Sequence, residues 1–487
     1  MPLSIRSARQ SARHLLGAAG LALAFASPAV AQSLSKADSA LVGRILLAED
    51  RRDSTDAALR EGASHADARV RTLALRAVGR IRDPRFASRD SLPRLSSPPI
   101  WVEPAWRIRL RALAALRDDC SALLLAAVDS AWPVRFRSAA LARESCAQNE
   151  DLVQTFIRWI REMPTDVTRR RKGGVAWQGA AHGLLAVARL RPAEAKFHLA
   201  LFTNDGDWHL RQYAARAAAI MKDTATLRRL SADADDNVAE AAIDGLSRLS
   251  AHAEDARYLA ALDRRGAQVV RAAAEALKGS PRADVAPAAL RTWERWVQRA
   301  NASERDAREA LLAAAGRPAT DDRPPAVRVV LPREAVALAL GKQLRLRVTM
   351  DKFSGGGTFD VRLRGDVAPM MAARLYQLAK DGYYDGLSWH RVEHDFVIQG
   401  GSRGSNEYVG FRDFLRDELG TVTHARGTLG MSTRGHDTGD AQWFVNLRDN
   451  ARLDRDYTVW GEIVAGIEVV DGVLEGDVIR RIRPLKP

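Results

Sequence analysis

The residues best suited to chemistry lie in Trp389–Gly401, which reads Trp-His-Arg-Val-Glu-His-Asp-Phe-Val-Ile-Gln-Gly-Gly. Arg391 supplies a planar cation that stays protonated at any relevant pH. Val397 and Gln399 follow it at alternate positions. In an extended chain, residues two apart share a face and neighbours do not. Arg391 and Gln399 are eight positions apart, so a continuous strand puts both on one face. Phe396 has the other parity and reaches that face only if the chain kinks, for which His394-Asp395 is the natural place. A guanidinium and an amide beside apolar side chains suit a peptide better than a phosphate or a metal.

The elements around this stretch have a period of two. Phe359, Val361 and Leu363 alternate with Asp360, Arg362 and Arg364, which predicts a strand. Ser354-Gly355-Gly356-Gly357 before it reads as a hairpin loop; a glycine triplet can cradle phosphate, but no Lys-Ser/Thr pair follows. Pro369 opens a helix with Leu375, Leu378 and Ala379 inward. Asp437-Thr438-Gly439 has the letters of an aspartic-protease triplet. That chemistry needs a second carboxylate about 3 Å away, and no second triplet occurs, so it reads as a loop. His390 and His394 have no Ser or Cys nucleophile motif beside them, and a core or surface histidine is the default reading. No Cys-x-x-Cys or His-Glu-x-x-His occurs, so neither a metal site nor a cofactor is implied.

The stretch resembles the cyclophilins, a family of peptidyl-prolyl cis–trans isomerases. The family pattern is Phe-His-Arg-Val/Ile, a short turn, Phe-Met/Val, one residue, then Gln-Gly-Gly. The match runs from about Leu344 to Ile482. It includes Gly382-Tyr383-Tyr384-Asp385-Gly386 before the stretch, and Arg426-Gly427-Thr428-Leu429-Gly430-Met431 and Gln442-Trp443-Phe444 after it. Leu453-Asp454 and Tyr457-Thr458-Val459-Trp460-Gly461 continue it.

The resemblance implies a closed eight-stranded antiparallel barrel capped by two helices, acting on Xaa–Pro bonds of polypeptide clients. It also assigns roles. Arg391 stabilises the twisted amide and Gln399 positions the substrate backbone. Phe396, Val397, Phe444 and Leu453 line a proline pocket, and the backbone around Ser432-Thr433 holds the residue before proline. Tyr457 stands where eukaryotic cyclophilins often have His. Several positions depart from the pattern: Val397 for Met, Ser432 for Ala, and Trp389, Trp443 and Trp460 for Phe. Arg452 occupies the position of the Trp associated with cyclosporin binding, which leaves substrate breadth open.

The rest of the chain is of another kind. Of 487 residues, 46% are hydrophobic and only 6% aromatic, with abundant Ala, Leu and Arg, which favours helices. From Ala40 to about Ala315 one phrase recurs: an acid, an aliphatic residue, often Arg, then Ala. Asp67-Ala68-Arg69-Val70 with Ala74, Asp207-Trp208-His209-Leu210 with Ala214-Ala215, and Asp236-Asn237-Val238 with Ala241-Ala242 are copies. The spacing, roughly 26 to 38 residues, suits helical-repeat arrays. The acid caps a helix start, and the aliphatic and Ala positions share a side, so helix pairs stack into a solenoid. This resembles HEAT-type repeats, with an irregular helical bundle as the alternative.

The predicted organisation is a signal peptide over 1–31, HEAT-like helices over 32–315, a linker over 316–325 and the cyclophilin-like domain over 326–487. The change of period at the linker implies separate cores. Arg6, Arg9 and Arg13, the apolar Leu15–Ala26 and Ala29-Val30-Ala31 resemble a secretory signal cleaved after Ala31. That implies export to the periplasm or beyond, with no stable membrane span after cleavage. The segment has three Arg and no acid, so cleavage takes the formal +14 to about +11. The Arg are spread along helices, which argues against nucleic acid. Arg169-Arg170-Arg171-Lys172 is a clustered exception, read as a solvated loop. Cys120 and Cys146 form either a disulfide, which export permits, or two core thiols. The leading expectation is an exported prolyl isomerase whose helices bind clients or a protein partner. The alternative is a non-catalytic peptide-binding scaffold; retention of Arg391, Phe396, Gln399 and Phe444 favours the enzyme.

Overall fold

The structure is a computed structural model and describes residues 34–82, 101, 103–163, 177–318, 333–352 and 354–485. The signal segment, the Ser96-Ser97-Pro98-Pro99 break, the run Arg169–Lys172 and most of the linker lie outside the described residues. None of the described helices is long and apolar enough to cross a membrane.

The described residues between 36 and 314 are all-helical apart from their connections. Asp56, Asp119, Asn149, Asp207, Asp223 and Asp235 each accept a backbone N–H at a helix start, as short acceptors do at that position. For Asp236–Ser250 the cap is Asp235 rather than Asp236, whose carboxylate instead takes Arg264. Helices two apart in sequence pack together: Trp208–Ile220 on Asp236–Ser250, then Ala267–Leu277, then Arg305–Ala314. Buried alanines such as Ala214, Ala215, Ala242 and Ala273 let their axes approach closely. Cys120 and Cys146 are bonded, so the disulfide holds and the thiol alternative falls.

The C-terminal part is an eight-stranded sheet: β1 (Arg345–Met350), β2 (Thr358–Leu363), β3 (Trp389–Val392), β4 (Val397–Gly400), β5 (Thr428–Met431), β6 (Trp443–Asn446), β7 (Val459–Ala465) and β8 (Ile479–Pro484). The order is β3-β4-β6-β5-β7-β2-β1-β8, antiparallel throughout. The sheet curls until its edge strands meet at the Ser388–Val478 bridge. The hairpin loop holds Gly355, Gly356 and Gly357 at positive φ, a region that disfavours other residues. Trp389, Trp443 and Trp460 interlock edge-to-face inside the barrel, with centroids 5.0 and 5.6 Å apart. Indole exchanged for phenyl therefore keeps its place in the core.

The two parts meet in two ways. The first three helices, α1 (Lys36–Arg51), α2 (Ala57–Ala63) and α3 (Ala68–Arg82), bury Leu41, Ile45, Leu46, Val70 and Leu73 in the same cluster as the barrel interior. The expectation of separate cores is corrected here: a hydrophobic period says which face is apolar, not what covers it. Glu49 is buried at this junction between Arg76 (2.9 Å) and Arg80 (2.5 Å), and their charges hold its carboxyl below its ordinary range despite burial. The later helices have cores of their own and reach the barrel through polar groups and through rings set against His394. Arg107, fully buried, donates to the carbonyls of His394 (3.1 Å) and Leu447 (2.8 Å) and to Asp471 (3.0 Å). The Tyr213 hydroxyl donates to Glu475 (2.7 Å), and Ala302 N to the carbonyl of Arg412 (2.8 Å).

Candidate active site

Arg391 and Gln399 do not lie on one strand. The chain reverses between them, with Glu393 N donating to the carbonyl of Val397 (2.8 Å) and Phe396 N to that of Glu393 (2.7 Å). The His394-Asp395 kink is thus a full hairpin, and Arg391 on β3 faces Gln399 on β4 as a direct cross-strand partner. Residues directly opposite across an antiparallel pair point the same way. The expected shared face is kept by a different route.

Gln399 is 4% exposed, and its amide donates to Ser432 Oγ (2.9 Å) and Gln442 Oε1 (3.3 Å). The Arg391 side chain is 40% exposed, and its Nη1 donates to Glu407 Oε1 (3.2 Å). The cation is therefore within reach of a ligand while the amide is fixed.

Beside this pair Val397, Phe444 and Leu453 form a small apolar cluster separate from the barrel core, with Phe396 and Tyr457 against it. Phe444 on β6 lies opposite Gln399. Gly430 on β5 leaves it room, since a Cβ there would stand 2.2 Å from Phe444 Cζ. Tyr457 meets the Phe444 ring edge-on at 5.9 Å, and His424 stacks on it at 5.9 Å. The Arg452 guanidinium lies over the Phe396 ring at 4.1 Å, where it keeps a charge at the rim and a cation–π contact. Ser432 leaves β5 with its N–H on the carbonyl of Gln442 (2.9 Å), and Thr433 follows it, half-buried.

The neighbouring histidines are not acid–base groups at neutral pH. His390 is half-buried, with both ring nitrogens enclosed and neither hydrogen-bonded, and burial depresses its pKa to about 3. His394 is shut in by Trp106 and Phe136, and burial, with His182 and Arg107 nearby, lowers it to about 3. Asp437-Thr438-Gly439 is a loop, where Asp437 accepts the backbone N–H of Asp417 (2.9 Å). Among the described residues no group of three or more His, Cys, Asp or Glu is arranged to hold a metal.

The structure brings Arg391, Gln399, Phe396, Val397, Ser432, Phe444, Leu453 and Tyr457 to one surface, with Thr433 at its margin. Gln442, Glu407 and His424 also belong to it, and the sequence reading gave them no role. Gln442 was visible within a matched motif; Glu407 and His424 sit in loops with no periodic signal. One partly exposed cation, one fixed amide and an apolar cluster beside them can hold an extended peptide and stabilise charge that develops at one of its atoms. No group here is set up for nucleophilic attack.

Residues 346–487 match the family described as cyclophilin type peptidyl-prolyl cis-trans isomerase/CLD. Peptidyl-prolyl cis-trans isomerase ppi1 of Schizosaccharomyces pombe is 37% identical over 140 residues, 27% of this chain and 89% of that protein. Peptidyl-prolyl cis-trans isomerase B of Bacillus subtilis is 34% identical over 131 residues, 26% of this chain and 91% of that protein. A peptidyl-prolyl cis-trans isomerase of Helicobacter pylori is 35% identical over 119 residues, 24% of this chain and 73% of that protein.

Proposed function

Since the chain belongs to the cyclophilin-type peptidyl-prolyl cis–trans isomerases, we propose how its groove works and what its helices add. Rotation about a peptide bond is opposed by about 18–20 kcal/mol of resonance, and at Xaa–Pro both isomers are populated. A catalyst need only stabilise the twisted amide, whose nitrogen regains a lone pair. Arg391 donates an N–H to that nitrogen, since its charge is permanent and a preorganised donor needs little rearrangement. Gln399 holds the substrate backbone. Phe396, Val397, Phe444 and Leu453 take the proline ring, with Tyr457 closing one end. The backbone at Ser432-Thr433 holds the preceding residue. The observation that carries this reading is the cross-strand pairing of Arg391 with Gln399 beside a separate apolar cluster. Exchange NMR on a short Xaa–Pro peptide with the full chain tests it, and an unchanged exchange rate would sink it.

The substrates are exported polypeptides, and the chain is itself exported, with cleavage after Ala31. The Cys120–Cys146 bond supports this, because structural disulfides persist in oxidising compartments. Purified mature protein should begin at Gln32 and yield thiols only after reduction. The helices act as HEAT-like repeats that hold unfolded clients and raise the local concentration of prolyl bonds at the groove. A proline-free unfolded polypeptide should then inhibit catalysis of proline-limited refolding while leaving tetrapeptide turnover alone. Equal insensitivity of both reactions would remove client binding from the helices.

A further inference from the structure

Glu407 is tied to both members of the central pair. Its carboxylate accepts Arg391 Nη1 (3.2 Å), and its carbonyl accepts Gln442 Nε2 (3.0 Å), whose Oε1 accepts Gln399 Nε2 (3.3 Å). Arg391, Glu407, Gln442 and Gln399 thus form a ring, closed by the β3–β4 pairing.

The helical part holds this ring from outside. Arg434 donates to the Glu407 carbonyl (2.5 Å) while its remaining nitrogens take Asp306 and the carbonyl of Ser303 (2.9 Å). One residue before Glu407, Asn406 donates to Asn237 Oδ1 (2.9 Å), and Asn237 donates to the carbonyl of Gly404 (3.0 Å). One residue after it, Arg271 lies over the Tyr408 ring at 4.0 Å. Two helices therefore grip the chain directly at 406 and 408, and the helical segment at Ser303–Asp306 holds it at 407 through Arg434 of the barrel part.

We infer that Glu407 is a positioning residue for the Arg391 guanidinium, and that the helical part fixes where Glu407 stands. The inference rests on the reading of Arg391 as the donor to the amide nitrogen. Arginine has four side-chain torsions, and a half-exposed guanidinium otherwise samples many of their combinations. One charge-assisted bond from Nη1 narrows that sampling and leaves Nε and Nη2 to face a substrate. Both side chains are partly exposed, 40% and 44%, so the pair acts through orientation more than through fold stability.

The test is kinetic, on the full chain with a short Xaa–Pro peptide. Glu407→Ala should lower kcat about fivefold with KM within about twofold, and Glu407→Gln, which keeps an acceptor, about twofold. In an Arg391→Lys background, Glu407→Ala should change kcat by less than about 1.5-fold, because the two residues act as a unit. Asp306→Ala, on the helical side and away from substrate, should lower kcat about twofold by loosening Arg434. An unchanged or raised kcat in Glu407→Ala, or an equal loss in the Arg391→Lys background, overturns the inference while leaving the role of Arg391 intact. An active Arg391→Ala overturns that role, and the positioning of its guanidinium with it.

Discussion

Strands β4, β5 and β6 have two faces that do different work. Ile398, Leu429, Met431, Trp443 and Val445 point inward and belong to the cluster that runs from the barrel into α1–α3. Val397, Gln399, Gly430 and Phe444 point outward and build the groove. Adjacent residues such as Trp443 and Phe444 are both buried aromatics on one strand. One is packed among the barrel's indoles, the other against the His424 and Tyr457 rings beside the hydrogen-bonded Gln399. What separates the core face from the face proposed to act is a shift of one residue.

Substitutions on opposite faces should therefore fail in different assays. The largest effect is expected inside. Trp443→Ala removes the middle indole of the triad and should cost about 3–5 kcal/mol, read as a lowered denaturant midpoint. Molecules that remain folded should keep kcat/KM within about twofold. Loss of specific activity per folded molecule with no loss of stability would reverse the assignment of faces.

On the outer face Arg391→Ala should lose about 100-fold or more in kcat/KM with an unchanged thermal midpoint. Arg391→Lys should also be impaired, because a point charge does not replace the planar fork. Near-wild-type turnover in either variant would remove the guanidinium from the mechanism.

A smaller effect separates the faces by pH. His390 and His394 titrate at about 3 in the folded chain, so both are neutral through the physiological range. kcat/KM should accordingly be flat from about pH 5.5 to 8, since arginine does not titrate there. Stability should not be flat. An unfolded histidine has a pKa of about 6.5, so on acidification the unfolded chain binds protons that the fold refuses. The histidine contribution is present above about pH 6.5 and is lost as pH falls from there toward about 3. Glu240, Glu418 and Asp477, each raised to about 7 by burial, pull the opposite way. The clean measurement is a difference: His394→Phe should lose less thermal stability than the parent between pH 7 and 5. Parallel curves would mean that His394 is not a buried neutral group.

The smallest effect is at the rim. Arg452 over Phe396 places a charge where the family has an indole, and binding of cyclosporin should be weak. Arg452→Trp should tighten it by about tenfold in titration calorimetry. Tight binding by the unmodified protein would show that the rim does not discriminate.

What could be read in advance follows from what is periodic. The alternation in β2, the even offset from Arg391 to Gln399 and the aromatic positions of the core are local patterns, and they survive in the fold. The hairpin at His394-Asp395 was legible only as a kink, because both geometries satisfy the same parity. The sequence offers Asp236 as a cap where Asp235 is the acceptor; two adjacent acids look alike until one turns toward the free N–H groups. Glu407 carries no signal, since its place depends on Asn237, Arg271 and Arg434, far away in sequence. The sharing of the barrel core by α1–α3 was hidden for the same reason.

That shared core fixes an order of events. Arg52 in the link after α1 donates to the carbonyl of Asp417, a contact spanning 365 residues. The three opening helices are made first, yet the surface that buries them is made last. At about 5–20 residues per second, roughly 300 further residues take about 15–60 s to synthesise. Helices form in about a microsecond, so during that interval their apolar faces are formed but uncovered. Contacts of such long range also slow the final docking. Residues 36–82 and the barrel thus close one core across the chain, and a ribosome-bound fragment lacking the barrel leaves the barrel-facing side of α1–α3 open to any chaperone that recognises apolar surface.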